Sequence, residues 1–289
     1  MQGTIIPRIA AVHDLSGFGR CSLSVIIPVL STMGMQVCPI PTAVLSTHTG
    51  GFEGFTFVDL TDTMEKYYSH WKQIGVELDC VYSGFLGSPR QIDLILKLID
   101  MFDMRERLIV VDPVFADNGK LYSTFTVDFI PHMRRLIRAA HVITPNITEA
   151  SLLLGQEIKS CYTANEAKQM LLRLTEVGPD TAVITSMPMG DVPSCVVAYS
   201  RRDDRYWKVQ CDYLPAEYPG TGDIFTSVLC GALLEGDSLP VAADRAVRFV
   251  SMAIRMTFGY ASPPREGVLL ERVLHTLTKL PDEIRYELL

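Results

Sequence analysis

Short apolar segments alternate with segments of helical spacing along most of the chain, and this alternation limits the fold more than any other feature. Leu108–Val111 is a continuous run of aliphatic residues, which is typical of a strand buried on both faces of a parallel sheet. Comparable strand-like runs occupy residues 9–12, 35–45, 78–83, 141–143 and 182–184. Strands that alternate with helices in this way predict an α/β protein with a mainly parallel central sheet.

The C-terminal half adds an antiparallel element to this pattern. Two extended runs, 195–199 and 207–213, flank a turn-like segment and predict a hairpin at one edge of the sheet. From residue 224 to about residue 278 the pattern is mostly helical. No repeat, low-complexity tract or linker interrupts the chain, so we predict one domain over residues 1–289.

Charge and cysteine content limit the classes of partner and compartment. The net charge of −7 argues against nucleic acid or an anionic membrane as a partner. The seven cysteines are scattered without a C-x-x-C pair, which favours reduced thiols in a cytoplasmic protein. No apolar run reaches the roughly 18 residues of a spanning helix, and no H-E-x-x-H zinc motif is present. We predict a soluble, cytoplasmic protein.

The stretch Pro219-Gly220-Thr221-Gly222-Asp223 precedes an apolar run that predicts a helix buried on all sides. A proline and two glycines indicate a loop with unusual backbone angles, and the unpaired N–H groups of the helix start form an anion site. Asp223 then has two interpretations. It is either the N-cap of the helix or a general base facing a hydroxyl that attacks a phosphoryl group.

Polar side chains concentrate just past the predicted strand ends or in the following loops. They are Asp14, Asp112, Thr144, Asn146, Thr185, Ser186 and Asp223. In open α/β sheets this edge is where ligands bind, although each residue singly is also typical of a turn. Gly17 and Gly19 lack the third glycine of a dinucleotide fingerprint, and no P-loop motif is present.

Three motifs in combination resemble the ribokinase-like superfamily of small-molecule kinases. They are Asp112-Pro113, the segment Thr144-Pro145-Asn146-Ile147-Thr148-Glu149, and Gly220-Thr221-Gly222-Asp223. Within that superfamily the chain is similar to the pyridoxal (vitamin B6) kinases, also through the segments at 18–19, 46–49 and 83–88. The resemblance implies a three-layer ribokinase-like fold. No inserted segment between residues 34 and 75 is long enough for a large lid.

The resemblance also implies an activity: ATP-dependent phosphorylation of the 5′-hydroxymethyl group of pyridoxal, pyridoxine or pyridoxamine. Asp223 would be the general base, and Gly220, Thr221 and Gly222 would supply the anion hole for the transferring phosphoryl group. Mg²⁺ would accompany ATP, with K⁺ or Na⁺ as a monovalent cation. A homodimer is implied as well.

Further site residues follow from the same resemblance. The residues implied to bind ATP are Asp112, Thr144, Glu149, Thr185, Ser186 and Thr221. Those implied to hold the metal are Asp112, Asn146 and Glu149. Those implied to bind the B6 substrate are Asp14, His48, Thr49, Phe85 and Asp223. The loop 115–122 is a candidate to fold over the active site.

Asp14 departs from the family pattern, in which a serine commonly stands at this position and meets the pyridine ring. A carboxylate there would favour a protonated ring nitrogen or a substrate ammonium group. This suggests the hypothesis that pyridoxamine or pyridoxine is used at least as well as pyridoxal. The alternative is that Asp14 merely caps a turn.

Two other functions remain open at this point. A hydroxymethylpyrimidine kinase has the same fold, although such enzymes tend to carry cysteine where Asp223 stands. A non-catalytic protein that binds nucleotide or a B6 vitamer would release no ADP when both are supplied.

Overall fold

The computed structural model describes residues 5–212, 214–278 and 285–289. Ten of its strands belong to one sheet: β1 (Arg8–Phe18), β2 (Gln36–Thr47), β3 (Phe57–Asp59), β4 (Cys80–Ser83), β5 (Leu108–Val111), β8 (Val142–Ile143), β9 (Thr181–Met189), β10 (Val192–Ser200), β11 (Arg205–Gln210) and β12 (Tyr286–Leu288). Their order across the sheet is β12-β11-β10-β9-β8-β5-β4-β1-β2-β3.

Six adjacent strands of this sheet are parallel, from β2 through β1, β4, β5 and β8 to β9. The pair β10–β11 forms the predicted antiparallel hairpin, and β3 and β12 add an antiparallel strand at each edge. Residue 213, which the sequence assigned to this hairpin, lies outside the described residues. The prediction of a mainly parallel sheet with an antiparallel edge is confirmed.

The helices cover both faces of the sheet. They are α1 (Leu23–Thr32), α2 (Thr61–Gln73), α3 (Pro89–Met101), α4 (Phe129–Arg138), α5 (Ile147–Leu154), α6 (Ala164–Val177), α7 (Thr221–Leu234) and α8 (Leu239–Gly259). Helices α2 to α6 bury their apolar residues in one core cluster, and α1, α7 and α8 bury theirs in another. Because β1 sends Ala10 and Val12 into the first cluster and Ile9 and Ala11 into the second, the two clusters lie on opposite faces. The three layers are therefore as predicted.

Strand β1 is longer than the sequence predicted, and this correction matters for the site. The apolar run suggested an end at residue 12 and a glycine loop over residues 16–19. Instead β1 continues to Phe18, paired with Thr47 of β2, after a register shift between His13 and Leu15. The polar sequence after residue 12 does not predict a strand, but pairing with β2 supplies the backbone hydrogen bonds that extend β1. Asp14 consequently lies within a strand, so the turn-cap interpretation of Asp14 is wrong.

Two other segments also differ from expectation. Residues 115–122 are not a plain loop: β6 (Ala116–Asp117) and β7 (Lys120–Leu121) form a separate two-stranded hairpin. Its turn residues Asn118 and Gly119 have φ angles of 49° and 78°, as a tight hairpin turn requires. The sequence predicted mostly helix to about residue 278, but the last α-helix ends at Gly259. Short 3₁₀ turns follow it, because Pro263 and Pro264 cannot extend an α-helix.

Both core clusters draw on the N-terminal and the C-terminal parts of the described chain. This supports one domain over residues 1–289, which stays a prediction. Among the helices of the described ranges, none is long and apolar enough to span a bilayer.

Candidate active site

The start of helix α7 has the geometry of an anion site. Gly220 is the N-cap residue with φ 82°, and Thr221 is the first residue of the helix. A Cβ atom on Gly220 would lie 2.1 Å from the Arg20 carbonyl oxygen, so the close approach of two backbones requires glycine here. The first N–H groups of α7 have no acceptor within the helix. They are therefore available to an anionic ligand.

Asp223 is the third residue of α7 and does not cap it. The carboxylate oxygen Oδ2 accepts a hydrogen bond of 2.8 Å from the backbone N–H of Ser22, which precedes helix α1. The N-cap interpretation is therefore wrong. The side chain reaches across to another element and stands in the first turn of its own helix, whose leading N–H groups have no acceptor within the helix.

Asp112 follows strand β5 and lies beneath the start of α7. It is 5% exposed, and Thr226 of α7 places its hydroxyl 3.3 Å from Asp112 Oδ2. The same hydroxyl lies 2.9 Å from Thr144 Oγ1, so Thr226 connects the ends of β5 and β8 to the helix. The sequence analysis missed Thr226. Its position three residues after Asp223, on the same helix face, was the available signal.

Glu149 and Asn146 are joined in a capping box at the start of α5. The Asn146 side chain accepts from the Glu149 N–H, and Glu149 Oε2 accepts from the Asn146 N–H, both at 2.9 Å. Glu149 Oε1 accepts from the Phe115 N–H at 3.2 Å, and Asn146 Nδ2 donates to the Ala116 carbonyl. These residues thus anchor the hairpin β6–β7. Their predicted roles toward a metal stay predictions.

Strand β9 brings two further predicted residues to the same edge. Thr185 donates its N–H to the Pro145 carbonyl at 2.9 Å and forms an isolated parallel bridge with Asn146. The next residue, Ser186, is exposed and has φ 56°. Both therefore lie beside the segment that follows β8, as the topology of parallel strands requires.

The residues predicted to bind the B6 substrate are more dispersed. His48 is buried, with Nε2 2.7 Å from the Arg265 carbonyl and Nδ1 accepting from the Gly50 N–H. Thr49 is exposed, and Phe85 packs on Phe125 at a centroid distance of 5.5 Å. The contacts of the described residues do not join Thr49 or Phe85 to the carboxylates. Their shared pocket stays a prediction.

The four carboxylates of the site influence one another electrostatically. Burial, followed by the charge of Asp223, raises the pKa of Asp112 to about 8. Burial raises the pKa of Asp223 to about 7, opposed by the Ser22 hydrogen bond. Burial also raises the pKa of Asp14 and of Glu149, the latter further through Asp112. The site therefore concentrates acidic groups, which burial keeps partly protonated in the ligand-free protein.

A bound cation would favour the ionised form of these carboxyl groups. None of the hydrogen bonds to Asp14, Asp112, Glu149 or Asp223 within the described ranges comes from lysine or arginine. The described residues also contain no group of three or more His, Cys, Asp or Glu side chains that could cage a metal. Mg²⁺ commonly binds through one or two carboxylates together with substrate phosphates and water. The donor set suits a metal that arrives with a nucleotide.

Protonation of Asp112 leads to a prediction about stability. An unfolded aspartate has a pKa of about 3.9, so the folded protein holds more protons up to the Asp112 pKa of about 8. The free energy of unfolding should therefore fall as pH rises, by roughly 1–2 kcal/mol between about pH 6.5 and 8. Urea unfolding of the ligand-free, metal-free protein measures this fall.

Asp112→Asn is the matched variant and should reduce the pH dependence, leaving the part that comes from Asp223 and Glu149. His13 limits the useful range, because burial lowers its pKa to about 3 and its contribution has the opposite sign below about pH 6.5. An equal slope in the wild type and in Asp112→Asn would show that Asp112 is ionised throughout.

Comparison with known proteins places this chain in a family. The family model of phosphomethylpyrimidine kinase matches residues 27–264, most of the chain. The chain belongs to the phosphomethylpyrimidine kinase family. A pyridoxal kinase of Arabidopsis thaliana is 29% identical over 262 residues, which cover 85% of this kinase and 80% of the relative.

Solved structures agree with this assignment. A Bacteroides thetaiotaomicron protein provisionally named phosphomethylpyrimidine kinase is 52% identical with a TM-score of 0.96, and the match covers 100% of both chains. An orthorhombic form of a protein with the same provisional name from that organism, solved with pyridoxal, is 53% identical with a TM-score of 0.94 and covers 98% and 100% of the two chains. The pyridoxal kinase of Lactobacillus plantarum is 31% identical with a TM-score of 0.85 and covers 95% and 97%.

These findings confirm several predictions made from the sequence. The fold is ribokinase-like, and the protein is an enzyme of the pyridoxal kinase type, which phosphorylates B6 vitamers with ATP. The confirmation concerns the enzyme as a whole. The roles of individual residues stay predictions.

Proposed function

We propose that this kinase transfers the γ-phosphoryl group of ATP to the 5′-hydroxymethyl oxygen of a B6 vitamer, with Asp223 as the general base. One observation carries the proposal. Asp223 lies in the first turn of α7, where the N–H groups have no acceptor within the helix, and one of its oxygens is held by Ser22. A base and an anion site are thus combined at one helix terminus.

In the proposed reaction the substrate hydroxyl oxygen forms a bond to the γ-phosphorus while the bond from that phosphorus to the β,γ-bridging oxygen breaks. Asp223 takes the hydroxyl proton, and ADP leaves with the electron pair of the broken bond. The backbone N–H groups of Gly220, Thr221 and Gly222 would donate to the oxygens of the transferring group. Such preorganised donors stabilise negative charge better than water does, because they need no reorientation.

Mg²⁺ would supply positive charge to the β- and γ-phosphate oxygens. Asp112 is the carboxylate we propose to hold it, because this side chain is buried and, within the described part of the chain, its hydrogen-bonding neighbours are hydroxyl groups. Glu149 would act through water, since both of its oxygens already accept backbone hydrogen bonds. Thr144, Thr185, Ser186 and Thr221 would contact ATP or a monovalent cation.

The acceptor is proposed to be pyridoxal, pyridoxine or pyridoxamine. The pyridoxal in the structure of the 53% identical Bacteroides protein supports this choice over a hydroxymethylpyrimidine. The carboxylate at position 223, where we expect a base, supports an active kinase over a binding protein. The proposals of a homodimer and of a cytoplasmic location come from the resemblance and the composition.

A coupled ADP-release assay tests the proposed substrate class. Mg-ATP is supplied with pyridoxal, pyridoxine, pyridoxamine or hydroxymethylpyrimidine, and the 5′-phosphate product is identified by chromatography. We expect the highest kcat/KM with a B6 vitamer and no ADP release without Mg²⁺. Higher kcat/KM with hydroxymethylpyrimidine would identify the alternative kinase. Binding without ADP release would indicate a non-catalytic protein.

A further inference from the structure

Ser22, which donates a hydrogen bond to the proposed base Asp223, has an unusual backbone conformation. This residue is 6% exposed and lies just before helix α1, with φ 50° and ψ −137°. Residues other than glycine are disfavoured in this region of φ and ψ by about 1–3 kcal/mol, so surrounding contacts must maintain the conformation of Ser22. In this conformation the Ser22 N–H points to Asp223 Oδ2 at 2.8 Å.

The Ser22 hydroxyl does not cap helix α1, although serine is a favoured N-cap residue. Ser22 is the N-cap residue of α1, yet it makes no side-chain capping hydrogen bond. Its hydroxyl donates to Asp14 Oδ1 at 2.6 Å instead. A hydroxyl–carboxylate bond of this length is a strong, charge-assisted interaction.

Asp14 is itself fixed within strand β1. It is 6% exposed, and its second oxygen, Oδ2, lies 3.2 Å from the Ser16 hydroxyl, which donates to it. The register shift in the pairing of β1 with β2 falls at this residue. Asp14 thus occupies a defined position in the sheet from which it can hold the start of α1.

We infer that Asp14 and Ser22 form a positioning unit for Asp223, in which Asp14 keeps the Ser22 backbone in its strained conformation and Ser22 directs its N–H to the base. The inference rests on the proposed function of Asp223. In this arrangement Asp14 acts through Ser22 and is a positioning residue. The hypothesis from the sequence, that Asp14 contacts the pyridine ring, gives Asp14 a different task.

A glycine substitution at Ser22 distinguishes a positioning role of Asp14 from direct contact with the substrate ring. Because glycine adopts positive φ without a steric penalty, Ser22→Gly keeps the backbone N–H in place without needing the bond to Asp14. Ser22→Ala keeps the penalty and removes the hydroxyl, so the backbone is expected to relax away from Asp223. Asp14→Ala removes the acceptor and should have the same consequence.

Four variants are compared with the wild type: Ser22→Ala, Ser22→Gly, Asp14→Ala and the double variant Asp14→Ala/Ser22→Gly. We expect kcat to fall at least about tenfold in the two single alanine variants, with KM for ATP and vitamer within about threefold. Ser22→Gly should retain at least about threefold more kcat than Ser22→Ala. The double variant should recover most of the kcat lost in Asp14→Ala.

Two outcomes would overturn the inference. If Asp14→Ala raises KM for the vitamer and Ser22→Gly does not rescue it, Asp14 binds substrate directly. If Ser22→Gly loses as much kcat as Ser22→Ala, the backbone conformation is not what the hydroxyl maintains. Thermal unfolding of each variant identifies general loss of structure, since a merely structural effect would lower the melting temperature without a selective loss of kcat. Turnover by the wild type tests the proposed function separately.

Discussion

Asp223→Asn is expected to lower kcat about 10²–10⁴-fold, the usual effect of removing an aligned general base. Asparagine has nearly the same shape and its side-chain oxygen can still accept the Ser22 N–H, which bonds to Asp223 Oδ2 in the wild type. The change therefore removes proton acceptance while leaving the local structure in place. KM for ATP and for the vitamer should change less than about fivefold. Steady-state ADP release at saturating Mg-ATP measures both constants.

Asp62→Asn is the matched control for this substitution. Asp62 also lies in the first turn of a helix, α2, but its side chain is 80% exposed and pairs with Arg90 on the surface. The same change of charge there should leave kcat within about twofold. A decrease of less than tenfold in Asp223→Asn, or a rise in KM alone, would contradict the assignment of Asp223 as the base.

Gly220→Ala is the second substitution with a large expected effect, a loss of at least about 10²-fold in kcat/KM. Two penalties coincide at this position: a φ of 82° and a Cβ only 2.1 Å from the Arg20 carbonyl oxygen. Arg20 is not free to withdraw, because its N–H bonds the Glu266 carbonyl and its own carbonyl also lies against Gly267. The start of α7 should therefore move away from the phosphoryl position. The melting temperature should fall as well.

Gly236→Ala is the control that separates the penalty of a positive φ from the penalty of a steric clash. Gly236 follows the other end of α7 with φ 94°, and a Cβ there would meet no atom within 4 Å. Alanine at this position carries only the conformational penalty, of roughly 1–2 kcal/mol, and kcat/KM should stay within about twofold. If Gly220→Ala resembled Gly236→Ala in both activity and melting temperature, the close contact with Arg20 would not hold the anion site.

Most elements of the fold could be predicted because their signals are local. The aliphatic run Leu108–Val111 forms the expected strand β5, and the apolar run after Asp223 forms the buried helix α7. Predictions failed where pairing partners decided the outcome. Strand β1 extends through polar residues because β2 pairs with it, and no short window of sequence contains that information. The hairpin β6–β7 did have a local signal, the Asn118-Gly119 dipeptide of its turn, which was missed.

The sequence by itself determined the layered α/β architecture, the kinase motifs at the strand ends and the loop that starts α7, since each depends on residues close together in the chain. Only the tertiary structure decided what those residues contact. The Ser22–Asp223 hydrogen bond joins residues 201 positions apart, and the contact of Asp112 with Thr226 joins residues 114 positions apart. The reason is physical: folding, not local preference, fixes the distances and directions on which hydrogen bonds and buried charges depend.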